Sequence, residues 1–372
     1  MKAGGIILLV LKKLKKIIKD LLAIPFVRSI YTKATLWLLT VFASNKFIAT
    51  LYSIPSFLTF NREQYAVLRG RRDYYRNLSR NRRTSIELRR NIHRLEKGII
   101  MQPRRDIFAK DYIGETIEFY ERAIMQYRED KKSCDTAELE WASSVLNRYF
   151  ELSATGDKRV DEMREKFTGI KDVYKSSGTS VPYKAGDRKP HGIKFETMKA
   201  LAKHRRSVRW FTGKKVSRHD IDKALEVAAQ SPTACNRMPY EYRIFDDPKL
   251  VKEVADIPFG AGGYSHQIPT IAVVIGKLDS YFSPRDRHAI YVDGSLSAMS
   301  FMYALDTLDI SSCVINWPDF EPLELKIQKK LGLAPDERVI MLIAIGYADP
   351  DGEIPYSMKK DVTTFASYNK VA

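Results

Sequence analysis

Cysteine is scarce in this chain of 372 residues. Only Cys134, Cys235 and Cys313 occur, far apart and odd in number, which excludes a disulfide framework and suits a reducing compartment. Histidine is also sparse, and no CxxC or HExxH spacing exists, so no metal-ligand pattern is present. The run Gly260-Ala261-Gly262-Gly263 is not GxGxxG and leads into Tyr264-Ser265-His266 rather than a helix, which argues against a dinucleotide fingerprint. No phosphate-binding P-loop, Ser-His-Asp set or catalytic carboxylate pair is apparent, and no internal repeat. Acidic charge is short in one half only. Residues 1–190 hold 38 basic against 22 acidic side chains, whereas residues 191–372 hold 24 against 23. Such asymmetry predicts two modules with different partners, the first of them facing something anionic.

Ile6 to Ile24 reads IILLVLKKLKKIIKDLLAI. At helical spacing its Leu and Ile residues share one side and its lysines the other, as in a helix lying in an anionic membrane interface or packed on its own domain. A signal peptide fits less well, because lysines follow the short apolar stretch at once and no small-residue cleavage site is present. Ala34 to Phe60 carries one charge, Lys46, beside Asn45. A spanning helix needs about 20 apolar residues and a central Lys costs roughly 3 kcal/mol. The two flanking pieces are therefore read as a helical hairpin or a pair of interfacial helices, with an ordinary core segment as the alternative.

Arg62 to Arg94 is dense in arginine with interleaved aromatics. An anionic lipid surface, a solvated helix with Tyr65, Leu68, Tyr75, Leu78, Ile86 and Leu88 on one face, and nucleic acid all fit it; nucleic acid ranks third, since no recognition motif is present. Asp111 to Phe150 has helical periodicity. Ser176 to Gly192 reads as a linker, rich in Gly, Ser and Pro. The expected organisation is residues 1–60 membrane-interacting, 61–175 basic and helical, 176–192 linker, and 193–372 a mixed α and β domain.

In that last domain Ser217-Arg218-His219-Asp220 has the form of a capping box, opening a helix that stops before Pro232. Tyr240–Phe245, Thr270–Ile275 and Val339–Ile345 are strand candidates, the last two apolar enough to be buried on both faces. Gly294–Leu308 is a helix apolar nearly all round, hence central and suited to a subunit interface.

Three segments carry the chemistry. Arg205, Arg206, Ser207 and Arg209 place three guanidiniums and a hydroxyl within five residues, a phosphate-binding composition, although most arginine clusters are solvated. Ser231-Pro232-Thr233-Ala234-Cys235-Asn236-Arg237-Met238-Pro239-Tyr240 is a Pro-bounded polar loop, in which Asn236 offers amide hydrogen bonds. Asp293 to Trp317 is the long apolar helix and the turn after it. Cys235 reads as a small buried thiol rather than a redox group.

Over about residues 195–365 these segments resemble the nitroreductase-like FMN-dependent oxidoreductases. RRSVRWF is similar to that family's opening Arg-x-Ser-x-Arg element. SPTACNRMPY is similar to its loop beside the flavin ring, with Thr233 in place of Ser and Met238 in place of Gln. DGSLSAMSFMYALDTLDISSCVINW is similar to its dimer-core helix and following turn, with Asp309-Ile310-Ser311-Ser312 where the family has Gly-Leu-Gly. GYADPDGEIPYSMKKDV is similar to its C-terminal stretch, with Lys359 and Lys360 in place of the final Arg. The resemblance implies an α+β fold, a three-layer α/β/α sandwich with a mixed central sheet, preceded here by a mainly helical N-terminal region. It implies FMN held by Arg205, Arg206, Ser207, Arg209, Pro232, Thr233, Ala234, Asn236, Val314, Ile315, Asn316, Lys359 and Lys360, with NAD(P)H as electron donor, flavin N5 as the reacting atom, a small-molecule acceptor and a homodimer. The expected location is the cytoplasm, peripheral on the inner face of the cell membrane. The alternatives are a flavin-dependent dehydrogenase or dehalogenase of the same fold, and a redox-silent scaffold at the membrane.

Overall fold

The computed structural model describes residue 21, residues 24–53 and residues 57–371, in two compact units, one up to Gln64 and one from Tyr65 to Ala372. The expected amphipathic helix Ile6–Ile24 lies almost wholly outside the described residues.

In the first unit α1 (Pro25–Phe42) opens on a proline, whose fixed φ suits the first helical turn. It ends at Ala43, and Asn45 starts α2 (Lys46–Ser53) by accepting a hydrogen bond from Ile48 N–H at 3.0 Å. The break thus falls at Asn45-Lys46, as expected, although α1 begins nine residues before Ala34. Nothing in α1 is buried, and Phe26, Ile30, Tyr31, Trp37 and Phe47 stand exposed. Among the described residues no helix is long and apolar enough to cross a membrane.

The second unit opens in α3 (Phe57–Asn77) and continues through α4 (Ile86–Ile99), α5 (Ile113–Glu129), α6 (Thr136–Leu152) and α7 (Lys158–Ile170). The core shared by α4 to α7 is built from Leu88, Ile92, Ile117, Tyr120, Leu146, Tyr149 and Phe167, whereas α3 packs through Ala66 on Leu278, Tyr281 and Ile290. The arginine run is therefore two helices with a turn between them, not one. The packed face of α3 also differs from the apolar stripe read in the sequence. Tyr65, Leu68 and Tyr75 are exposed, while Ala66, Gly70 and Tyr74 face inward at i, i+4, i+8. Small residues win here because α3 lies against the backbone of Leu278. A Cβ at Gly70 would come within 2.8 Å of the Leu278 carbonyl carbon.

The sheet domain follows. Four strands, β1 (Tyr240–Phe245), β2 (Thr270–Lys277), β3 (Ser311–Asn316) and β4 (Glu337–Gly346), lie in the order β1-β2-β4-β3. The strands expected at Tyr240, Thr270 and Val339 are present, and β2 and β4 are central and buried, as their apolar runs require. β3 is an edge strand where the sequence suggested only a turn. The sheet, expected to be mixed, is antiparallel between all four strands, and its parallel element is a single bridge between Ser207 and Ser312.

One face of the sheet packs on α10 (Pro248–Ala255) and α12 (Glu321–Leu331) through Val251, Val254, Leu323 and Ile327. The other packs on α9 (Arg218–Ala228) and α11 (Ala289–Asp306) through Ile221, Ala224, Phe301 and Leu305. The result is three layers, α/β/α, in an α+β fold. Ser217 does sit at the N-cap of α9, but its hydroxyl makes no cap bond; Arg218 turns away to pair with Asp246 at 2.6 Å. A short helix, α8 (Phe195–His204), leads into Arg205.

The contact at Gly70 yields a test. Gly70→Val should destabilise the second unit by about 1–3 kcal/mol, because backbone at Leu278 has to move and overpacking costs more than the small gain in helix propensity. A denaturation midpoint equal to the parent's would refute the close docking of α3.

Candidate functional site

The Arg205–Arg209 segment runs beside the edge strand β3. Val208 N–H donates to Ser312 C=O at 3.1 Å, which fixes the segment along the edge. Gln267 clamps its far side: the side-chain oxygen accepts from Phe211 N–H at 2.7 Å and the side-chain nitrogen donates to Arg209 C=O. The Arg209 guanidinium lies over the Tyr264 ring at 5.9 Å. Arg206 donates to Pro355 C=O at 3.0 Å, so the C-terminal segment passes this cluster; Lys359 and Lys360 follow on the same exposed stretch. None of Arg205, Arg206 and Arg209 has a carboxylate at ion-pair distance among the described residues. Arg205 Nε and Ser312 Oγ are buried without a hydrogen-bond partner. Unsatisfied buried donors beside uncompensated charge are costly unless a ligand meets them.

The Ser231–Tyr240 loop is unusual in its backbone. Cys235, Asn236 and Met238 all have positive φ, at 56°, 54° and 50°. Each such residue other than glycine costs on the order of 1 kcal/mol or more and persists only where its surroundings enforce it. Two clamps enforce it here. Beneath, Ala234 N–H donates to the Asp293 carboxylate at 2.9 Å, and Tyr281 O–H donates to the same oxygen at 3.2 Å. Burial raises the Asp293 carboxyl above the usual range. From the helical side, Arg89 of α4 donates from Nε to Asn236 C=O at 2.9 Å and reaches Met238 Sδ at 3.6 Å. Arg89 is itself held by Glu138 at 3.3 Å and lies over the Trp141 ring. Burial pushes the Glu138 carboxyl up to about 7. Within the loop, Thr233 Oγ accepts from Met238 N–H at 3.2 Å and Asn236 N–H donates to Thr233 C=O at 3.0 Å. Pro232 leads into this turn, and Cys235 is a free thiol.

Of the β3 residues, Ile315 turns its side chain into the core, while Val314 and Asn316 are exposed. The fold brings Arg205–Arg209 together with β3, and Thr233–Met238 together with α11 and α4. It does not bring these two groups to each other. Ser312 pairs with Ile345 at one edge and one end of the sheet; Tyr240, at the close of the loop, pairs with Gly276 at the other edge and the other end, where Gly276 faces Arg338. Three strand spacings and seven residues of strand separate these corners, on the order of 25 Å. Sequence reading assigned no role to Arg89, Glu138 or Asp293. Asp293 carried a signal, as the lone charge near the start of an otherwise apolar helix. Arg89 carried none, being one arginine among many.

A sequence model of the nitroreductase family matches residues 202–262 and 263–347. A protein of Archaeoglobus fulgidus, described as a candidate NADH dehydrogenase/NAD(P)H nitroreductase, is 23% identical over 144 residues, which are 38% of this chain and 80% of that protein. Among solved structures, an FMN-dependent nitroreductase from Clostridium difficile aligns at 21% identity and a TM-score of 0.40, covering 46% of this chain and 98% of its own. A nitroreductase-family protein from Streptococcus pneumoniae aligns at 19% identity and a TM-score of 0.40, covering 46% and 99%.

The Arg89 clamp is testable. In Arg89→Met the Asn236 carbonyl loses its donor, and loss of the guanidinium that holds Glu138 down raises that carboxyl further, so Glu138 is protonated near pH 6 instead of standing as a bare buried charge. Amide exchange at residues 234–238, measured near pH 6, should accelerate about ten- to a hundredfold while the core of α5 and α6 is unchanged. Unaltered protection of the loop would show that Asp293 alone holds it.

Proposed function

Because residues 202–347 are a nitroreductase-family segment, we propose that the chain is an FMN-dependent oxidoreductase that passes hydride from NAD(P)H to a small-molecule acceptor. The observation that carries this reading is the uncompensated set Arg205, Arg206 and Arg209 beside two orphaned buried donors, Arg205 Nε and Ser312 Oγ. These residues fit a phosphate monoester: three guanidiniums match a dianion, and hydroxyls at Ser207 and Ser312 are within the same cluster. The chemistry that FMN supplies when bound is hydride acceptance and release at N5.

The chain's own residues bind, orient and exclude. Arg205, Arg206, Ser207 and Arg209 would hold the phosphate, with Lys359 and Lys360 adding positive potential from the C-terminal stretch. Pro232, Thr233, Ala234 and Asn236 would present the rigid loop to the ring system, the Asn236 amide serving as donor and acceptor. The backbone of Val314, Ile315 and Asn316 would line the edge between them. Met238 presents a thioether where a polar side chain would otherwise favour a polar acceptor. Clamping by Asp293 and Arg89 keeps the loop from relaxing, so its geometry is set before anything binds.

The separation between cradle and loop exceeds the length of one flavin mononucleotide, which supports a homodimer in which the cradle of one copy faces the loop of another. The exposed stripe of Val292, Ser295 and Leu296 on α11 supports it too, as does the exposed apolar tail with Tyr356, Met358 and Phe365. Arg209→Ala should lower flavin affinity tens-fold, since a charge-assisted phosphate bond contributes about 1.5–3 kcal/mol. Arg209→Ala and Asn236→Ala proteins should each be flavin-poor, while heterodimers of the two, isolated with two different tags, should carry flavin in their one intact site. Heterodimers as empty as either parent would rule out the shared site.

The reading includes peripheral binding to the inner face of the cell membrane. It is supported by the exposed apolar side chains of α1 and α2 and by the basic excess of the first half. Full-length protein should bind anionic vesicles with only partial release at high salt, and deletion of residues 1–60 should abolish that binding. Equal binding by the deletion variant would place the membrane contact elsewhere.

A further inference from the structure

Where the α3–α4 turn faces the β1–β2 end of the sheet domain, the second unit encloses a cleft of about 750 Å³. Nine basic and five acidic side chains line it. The acidic groups are largely spoken for. Asp73 is held by Arg72 at 2.8 Å and Asp279 by Arg82 at 2.9 Å; Lys277 lies 3.9 Å from Glu337. Asp135 caps α6 through the N–H groups of Ala137 and Glu138. Asp336 is the exception: it is buried with Oδ1 lacking a hydrogen-bond partner, and burial raises its carboxyl to about 6.

Four arginines are left over. Arg76, Arg80 and Arg83 are exposed to the cleft, and no carboxylate stands at ion-pair distance from them among the described residues. The fourth is Arg237, only 4% exposed, which also lines the cleft. Its Nε is buried without a partner, and its guanidinium rests on the Tyr281 ring at 4.8 Å. A buried, hydrogen-bond-deficient guanidinium in the wall of a basic cavity is a built anion contact, not a solvated surface charge.

We propose that this cleft binds the phosphoryl group of a soluble small molecule, through Arg76, Arg80, Arg83 and Arg237. The volume is that of a pocket for a nucleotide-sized ligand. A bilayer surface cannot enter a concave site of this kind. Single-strand binders add to a basic groove several aromatic side chains on which successive bases stack, and the only aromatic residue in this lining is Tyr240. Arg237 and Met238 belong to the loop assigned to the flavin ring, so the phosphoryl group is that of a molecule that reaches the redox site: either the 2′-phosphate of NADPH or a phosphate on the acceptor. The cleft lies outside the Arg205–Arg209 cluster, and its anion binding does not require flavin.

Calorimetric titration of full-length, FMN-saturated protein with inorganic pyrophosphate at physiological salt tests this. One saturable site per chain is expected, weakened at least ~tenfold in the Arg76→Ala/Arg83→Ala double variant and retained in Arg205→Ala. Both replaced side chains are exposed, so the double variant should melt with the parent. Displacement of pyrophosphate by NADPH but not NADH would assign the site to the electron donor; displacement by neither would assign it to a phosphorylated acceptor. Absence of saturable binding, indifference to the double substitution, or loss in Arg205→Ala would overturn the proposal. So would binding of RNA or anionic vesicles through these arginines with which pyrophosphate does not compete.

Discussion

Three demands on the backbone within four residues, positive φ at Cys235, Asn236 and Met238, set the terms for the rest of this structure. None of the three is glycine, so local preference opposes the loop and the surroundings must impose it. Asp293 does so from the central helix, and Arg89 does so from the helical region. The buried Glu138 then exists to orient Arg89, and the helices around it exist to bury Glu138. Much of what looks like an unrelated basic extension is thus the outer wall of one loop.

The charge asymmetry of the chain takes on a different meaning in this light. Part of the arginine excess is internal. Arg71 donates to Phe282 C=O at 3.0 Å, Arg82 pairs with Asp279, and Arg89 holds Asn236. These groups join helices to the sheet domain with forked, directional bonds that lysine could not match. A further group, Arg76, Arg80 and Arg83, gathers at and before the α3–α4 turn. The basic excess is therefore not all adhesive surface: part of it serves as structural fasteners and part lines one concave site.

The legible parts of the sequence were those with strong periodicity or a strong run. β2 and β4 were readable because TIAVVI and VIMLIAI are apolar on both faces, and α11 because it lacks a polar face. β3 was not readable: SSCVIN is short, half polar and half exposed, as an edge strand is. The packed face of α3 does not show in the hydrophobic pattern because contact there rests on Ala66 and Gly70, whose value lies in what they omit. The antiparallel sheet was not readable because strand direction depends on long-range order, not on local pattern. At the site, Arg205–Arg209 stood out because charge was concentrated in sequence. Arg89 and Arg237 did not, because their importance comes from burial and from the one carbonyl or ring each meets.

Arg89 also belongs to the lining of the basic cleft. The same guanidinium that fastens Asn236 therefore forms part of the wall any occupant of that cleft would touch. An anion that draws Arg89 toward itself weakens the hold on the loop, and a ligand that tightens the loop withdraws Arg89 from the anion. Thermodynamic reciprocity then requires that each ligand change the other's affinity by the same factor. One side chain is thus shared between the strained loop and the basic cleft, with no domain movement needed to link them.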